Sequence, residues 1–160
     1  MGVQDQRPVE ARTDVLVYTS APMTEPLEVT GPVVVMLHAA SSAADTDFTA
    51  KLVDVRPDGY AQNLADGIAR ARYRDSRETP KLLTPGEISR FVIDLWATSH
   101  VFLPGHRIRV EISSSNFPRF DRNLNTGEDA ATGTRWQIAR QTVFHDARSP
   151  SHVVLPIIPR

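Results

Sequence analysis

Leu103-Pro104-Gly105-His106-Arg107-Ile108-Arg109-Val110-Glu111-Ile112-Ser113 is a turn followed by a strand, and it sets the pattern for the whole chain. Pro then Gly suits the two central positions of a type II turn, where Pro presets φ and Gly accepts a positive φ. Beyond the turn the residues alternate. Ile108, Val110 and Ile112 take one face and Arg107, Arg109 and Glu111 the other, the period of a half-buried strand. Thr84-Pro85-Gly86-Glu87 repeats the turn signature. It precedes a long run rich in β-formers, Ile88 to Phe102, in which Phe91, Ile93 and Leu95 share a face.

Working outward, the same alternation of runs and turns continues. Val15 to Thr19 is a strand, and Leu27 to Thr30 is a short one ending at Gly31-Pro32. Val33-Val34-Val35-Met36-Leu37-His38-Ala39 is continuously apolar, as expected of a strand covered on both faces. Asp47 to Val55 places Phe48, Ala50 and Leu52 on one face. Val53 and Val55 then break the pattern, which a bulge or two-sided burial explains. Pro57-Asp58-Gly59 is a hairpin turn whose partner strand begins at Tyr60. Ile68 to Arg74 alternates Ala69, Ala71 and Tyr73 against Arg70, Arg72 and Arg74. Trp136 to His145 and Val153 to Ile158 supply the last strands. Eight or nine strands with a turn signal about every ten residues specify an all-β sandwich or barrel. Long connections favour Greek-key or jelly-roll wiring. Residues 1–14 are polar and read as a linker or docking arm, with the folded domain at 15–160.

With 160 residues and 41% hydrophobic content, the chain is one globular domain that needs no disulfide or metal to fold. It contains no cysteine, so thiol chemistry is excluded. A formal net charge of −1 leaves no electrostatic footprint for nucleic acid or anionic lipid. No apolar stretch is long enough to span a bilayer, and the N-terminus has no apolar leader, so a cytoplasmic location is expected.

The chemistry-bearing residues are sparse. An α/β serine hydrolase needs a Gly-x-Ser-x-Gly elbow, and no glycine pair here has that spacing. None of His38, His100, His106, His145 and His152 sits in a nucleophile setting, so no catalytic residue is assigned. His100 and His106 flank the Leu103-Pro104-Gly105 turn and can face each other, but a third zinc ligand is lacking. Asp45-Thr46-Asp47 reads as side-chain turns more readily than as a calcium loop. No metal and no cofactor are expected. The arginine stripe Arg70, Arg72 and Arg74 reads as a solvated strand face or as partners of carboxylates across the sheet. Arg107, Arg109 and Glu111 read the same way. Trp96, Trp136, Tyr60 and Tyr73 leave open a free-standing carbohydrate-binding jelly-roll module as the alternative function.

Ser113-Ser114-Ser115-Asn116-Phe117-Pro118-Arg119-Phe120-Asp121-Arg122-Asn123-Leu124-Asn125-Thr126-Gly127 carries more specific side chains than a plain connection needs. Asn116 can bond its own backbone and start a turn. Phe117 and Phe120 can bury against the sheet edge. Asp121 lies between Arg119 and Arg122, where charge-assisted bonds can lock the loop. Asn116, Phe117, Arg119, Phe120, Asp121, Arg122 and Asn123 are therefore candidates for a structural clamp, a contact surface for another domain, or a ligand loop.

This run resembles the C-terminal domain of the cocaine-esterase (CocE/NonD) and X-Pro dipeptidyl-peptidase family of serine hydrolases. So do Asp5 to Glu10, Asp14 to Tyr18, Leu27 to Gly31, Asp45 to Val55 with Pro57-Asp58-Gly59, Val101 to Ile108, and Pro150 to Ile158. The resemblance implies a jelly-roll β-sandwich similar to galactose-binding domains, packed on an α/β-hydrolase domain of the same parent enzyme. It implies ester or X-Pro amide cleavage by a Ser-His-Asp triad that lies outside this sequence. An exposed apolar patch is then expected on one face, with self-association into a homo-oligomer as a possible consequence.

Overall fold

The computed structural model describes residues 2–129 and 131–159. It is a jelly-roll β-sandwich of two antiparallel sheets. The strands are β1 (Leu16–Thr19), β2 (Leu27–Ser41), β3 (Asp47–Val55), β4 (Ala61–Arg70), β5 (Ser89–Phe102), β6 (Arg107–Ser113), β7 (Gln141–Phe144) and β8 (His152–Val154). One sheet runs β1-β6-β3-β4. The other runs β5-β2-β7, with β8 also paired to β2. A short helix, α1 (Arg7–Glu10), precedes β1, and a 3₁₀ turn, Ala71–Tyr73, follows β4.

The two inner faces meet in one core. Phe48, Ala50 and Leu52 of β3 and Ile112 of β6 pack against Val33, Val35 and Leu37 of β2 and Phe91, Ile93 and Leu95 of β5. The Phe48 and Phe91 rings lie 4.7 Å apart, centroid to centroid, tilted by 45°. Such a pair contributes about 0.5–1.5 kcal/mol beyond the area it buries. Both Pro-Gly turns form as expected. The amide of His106 donates to the Leu103 carbonyl at 3.0 Å and that of Glu87 to Thr84 at 3.1 Å, with Gly105 and Gly86 at φ 82° and 83°.

Four strand expectations are corrected. Leu27–Thr30 and Val33–Ala39 are one strand, because β2 continues through Gly31-Pro32. The β2–β5 ladder shifts register beside that pair, and a residue without an N–H is tolerated at such a break. The Ile68–Arg74 alternation stops at Arg70, where the chain turns into the 3₁₀ segment. Only Gln141–Phe144 of the expected Trp136–His145 strand enters the ladder. At the C-terminus β8 ends at Val154. Ile157 rejoins Val29 only as an isolated bridge, since Pro156 has no donor for a continuous ladder.

Two-sided burial explains Val53 and Val55. The β3–β6 register is continuous through them, so they share the outer face with Lys51 and form a small second cluster with Ala61. The bulge lies on β4, where Leu64 is the extra residue between the Leu52–Ala65 and Val53–Asn63 pairs. The cover over this outer face includes the N-terminal arm. The Gln6 amide donates to the Ala61 carbonyl at 2.8 Å, and the Asn63 amide to the Gln4 carbonyl at 3.3 Å.

Candidate functional site

Three groups of side chains rise above ordinary packing. The first is a polar clamp where the 113–129 loop crosses the end of the β3–β4 hairpin. Asp45 and Asp47 are buried. Arg72 Nε donates to Asp45 Oδ2 at 2.9 Å and Arg70 Nε to Asp47 Oδ1 at 3.0 Å. Asp47 also holds the Arg70 guanidinium more firmly protonated than an isolated arginine. Asn123 bridges the two carboxylates, its Nδ2 donating to Asp45 Oδ2 at 3.0 Å and to Asp47 Oδ1 at 2.8 Å. Arg72 also reaches the Glu128 carbonyl at 2.8 Å. Arg74 donates to the carbonyls of Ala71 and Lys81. The arginine stripe thus satisfies carboxylates and carbonyls. A cleft of about 240 Å³ opens over the clamp, lined among others by Tyr73, Leu124 and Glu128.

The loop candidates divide into two sets. Asn116 and Arg119 join Asn123 in facing the sheet. Asn116 Nδ2 donates to Asp66 Oδ2 at 2.7 Å, and Arg119 Nε lies 3.1 Å from the same oxygen. Asn116 therefore spends its side chain on β4 instead of its own backbone. Arg119 pairs with Asp66, not with Asp121, and its guanidinium stacks 5.4 Å from the Phe120 ring. Phe120 is half-buried, whereas Asp121 and Arg122 are exposed. Phe117, expected at the sheet edge, is instead 67% exposed and precedes a cis Pro118.

The second group escaped sequence reading. Asp54 is buried at the end of β3, and both turn-flanking histidines point at it. His100 Nε2 lies 2.9 Å from Asp54 Oδ2, and His106 Nδ1 lies 2.9 Å from Asp54 Oδ1. Each imidazole N–H donates to the carboxylate. A signal was present, because Asp54 has the inward parity of Phe48, Ala50 and Leu52. A carboxylate on a core face requires donors. No group of three or more metal-ligating side chains with suitable geometry occurs among the described residues. Nor does any described histidine ring hydrogen-bond a hydroxyl. His145 meets the Tyr18 ring edge, and His152 Nδ1 lies 2.7 Å from the Pro150 carbonyl oxygen. No helix among the described residues is long and apolar enough to cross a membrane.

The third group is apolar. On the outer face of the β5-β2-β7 sheet, the register aligns Val92, Met36 and His152 in one row and Asp94, Val34 and Val154 in the next. Val92 is 52% exposed and Val154 50%. At the end of the strip β5 bulges, and Leu95 and Trp96 together oppose Val33. Trp96 takes φ 64°, a strained value for a large side chain, and its amide donates to Asp94 Oδ1 at 2.8 Å. The indole is 70% exposed. No ring contact joins Trp96, Trp136, Tyr60 and Tyr73 among the described residues. Tyr60 instead lies under the Arg56 guanidinium.

Comparison with known proteins places this geometry. Residues 3–154 match the model of the X-Pro dipeptidyl-peptidase C-terminal non-catalytic domain. The chain is 53% identical to the cocaine esterase of Rhodococcus sp. (strain MB1 Bresler) over 161 aligned residues, 99% of this chain and 28% of that protein. Among solved structures it superposes with TM-score 0.95 and 39% identity on an aminopeptidase from a marine sediment Thaumarchaeota archaeon. It superposes with TM-score 0.94 and 38% identity on an α-amino acid ester hydrolase. Each match covers 98% of this chain but 28% and 27% of those longer chains, so the chain spans a little over a quarter of these relatives. A match to the family model over residues 3–154, together with a relative 53% identical, shows the family: the chain belongs to the X-Pro dipeptidyl-peptidase C-terminal non-catalytic domain family of the CocE/NonD hydrolases.

Proposed function

We propose that this domain braces an α/β-hydrolase domain of the same parent enzyme, helping to shape a cleft in which a serine nucleophile cleaves esters or X-Pro amides. The observation that carries this reading is a mismatch between sequence and burial. Val33 to Leu37 is apolar on both faces, but only one face lies in the core. Val34 and Met36 are left half-exposed beside Val92, Val154 and Trp96. A sheet face of this composition is written for cover that the isolated chain does not supply. A large aromatic held outward on a strained backbone is the kind of anchor that dominates interfaces. The exposed Phe117, with Asp121 and Arg122, offers a second candidate contact, on a loop tied to Asp66 of the other sheet. Asn116, Arg119 and Asn123 hold that loop in place. Without its cover, the same strip favours pairing of two copies, which sedimentation of the isolated chain would reveal.

The test is a chimera in which this chain replaces the matched stretch of the Rhodococcus cocaine esterase. The chimera is expected to hydrolyse an activated ester, while this chain alone shows no serine-dependent turnover. Val92→Glu with Trp96→Glu should lower the melting temperature and activity half-life of the chimera and leave the isolated chain's melting temperature nearly unchanged. Equal stability of chimeras with and without the two substitutions would refute this face as the contact.

A further inference from the structure

The N-terminal arm is tied to the body by a charged cluster that a plain linker would not need. Residues 4–6 lie along the free edge of β4. The Gln4 amide donates to Asn63 Oδ1 at 2.6 Å, and Lys51 Nζ donates to Gln6 Oε1 at 2.7 Å. Helix α1 then carries Glu10 across the outer face of the sheet to β6, where Arg109 Nη1 donates to Glu10 Oε2 at 2.6 Å. Two residues further along β6, on the same face, stands Glu111, buried beneath the arm.

The groups facing Glu111 can be named element by element. On β3 its register partner is Lys51, whose Nζ is 3.7 Å from Glu111 Oε2, beyond hydrogen-bonding reach. On β6 the neighbouring charge is Arg109, already bonded to Glu10. On β1 the register partner is Val17, which brings no charge. On α1 it is Glu10, whose negative charge acts on Glu111. The remaining oxygens, Glu10 Oε1 and Glu111 Oε1, are both buried and find no donor in the protein. Two carboxylates cannot hydrogen-bond each other without a proton. One proton makes a donor of one group and satisfies both orphan oxygens.

We propose that a proton shared by Glu10 and Glu111 latches the arm onto the β1-β6-β3-β4 sheet, so that the arm detaches as the pH rises. Burial, reinforced by Glu10 and opposed by Lys51, pushes the Glu111 carboxyl up to about 7 from an ordinary 4.5. With the arm detached, Glu111 returns toward the ordinary value. The docked state therefore binds the proton more tightly. Docking is strongest below pH 4.5 and is lost as the pH rises through about 7. The docking constant falls by up to about tenfold per pH unit in that window.

The experiment is amide hydrogen exchange on the full chain at pH 5.5 and 7.5, with intrinsic rates divided out. Protection of the Gln6 and Asn63 amides, which report the arm, should fall by roughly tenfold or more, while that of core amides such as Ala50 and Leu52 stays level. Glu111→Gln keeps a donor for Glu10 but cannot titrate, so its arm protection should be the same at both pH values. Arm protection independent of pH in the natural chain, or still pH-dependent in Glu111→Gln, would overturn the proposal. A carboxyl ¹³C titration of the natural chain decides the case without any variant. Titration of Glu111 near 7 supports the latch, and titration near 4.5 sinks it.

Discussion

Replacing Asp54 by Ala tests whether the buried His-Asp-His tie holds the β5–β6 turn to the end of β3. The Asp54 side chain is 3% exposed and accepts from two imidazoles at 2.9 Å each. Truncation leaves two N–H donors without an acceptor, and each such loss costs about 1–3 kcal/mol when the donor stays buried. The histidine side chains are 22% and 14% exposed, so water offsets part of that loss. A net destabilisation of about 2–4 kcal/mol follows. For a chain of 160 residues this lowers the melting temperature by roughly 6–12 °C. Asp54→Asn should cost less, about 1–2 kcal/mol, because its carbonyl serves one imidazole and its amide can donate to the other after a tautomer switch. Urea unfolding gives both values, and a cycle with His100→Ala and His106→Ala isolates the coupling. The reasoning fails if Asp54→Ala changes stability by less than about 0.5 kcal/mol, or if either histidine variant is additive with it.

Gly67→Ala should be among the most damaging small substitutions in the chain, at about 3 kcal/mol or more, since the added Cβ would stand 2.0 Å from the Asp94 carbonyl oxygen. Calorimetry that finds it neutral would contradict the close β4–β5 approach. Trp96→Gly should stabilise the isolated chain by up to about 1 kcal/mol by relieving the positive φ. In the chimera it should lower stability, because the anchor is lost. Asn123→Ala removes the donor shared by Asp45 and Asp47 and should cost about 1–2 kcal/mol. Limited proteolysis should then cut the 113–129 loop faster than in the natural chain, and an unchanged rate would count against the clamp.

The sequence by itself determined the strand-and-turn character and the family. Alternation in Arg107–Ile112 and the Pro-Gly turns at 85–86 and 104–105 are local facts. A residue's side of the pleat depends only on parity, and a glycine accepts the positive φ of a turn without help from distant residues. Strand ends were less legible. Arg70 to Arg74 keeps strand parity, but Arg72 leaves the ladder to reach Asp45, a partner well back in the chain. The loop candidates share one loop, but Asn116 and Arg119 reach Asp66 of β4 and Asn123 reaches Asp45 and Asp47, with Arg119 also stacked on Phe120. Only the tertiary structure decided that Asp54 would gather His100 and His106, that the arm would bury Glu111 beside Glu10, and that one face of β2 would stay open. Each of these depends on which distant strands become neighbours. Sequence spacing constrains that choice weakly, because closing a longer loop costs little more than closing a short one.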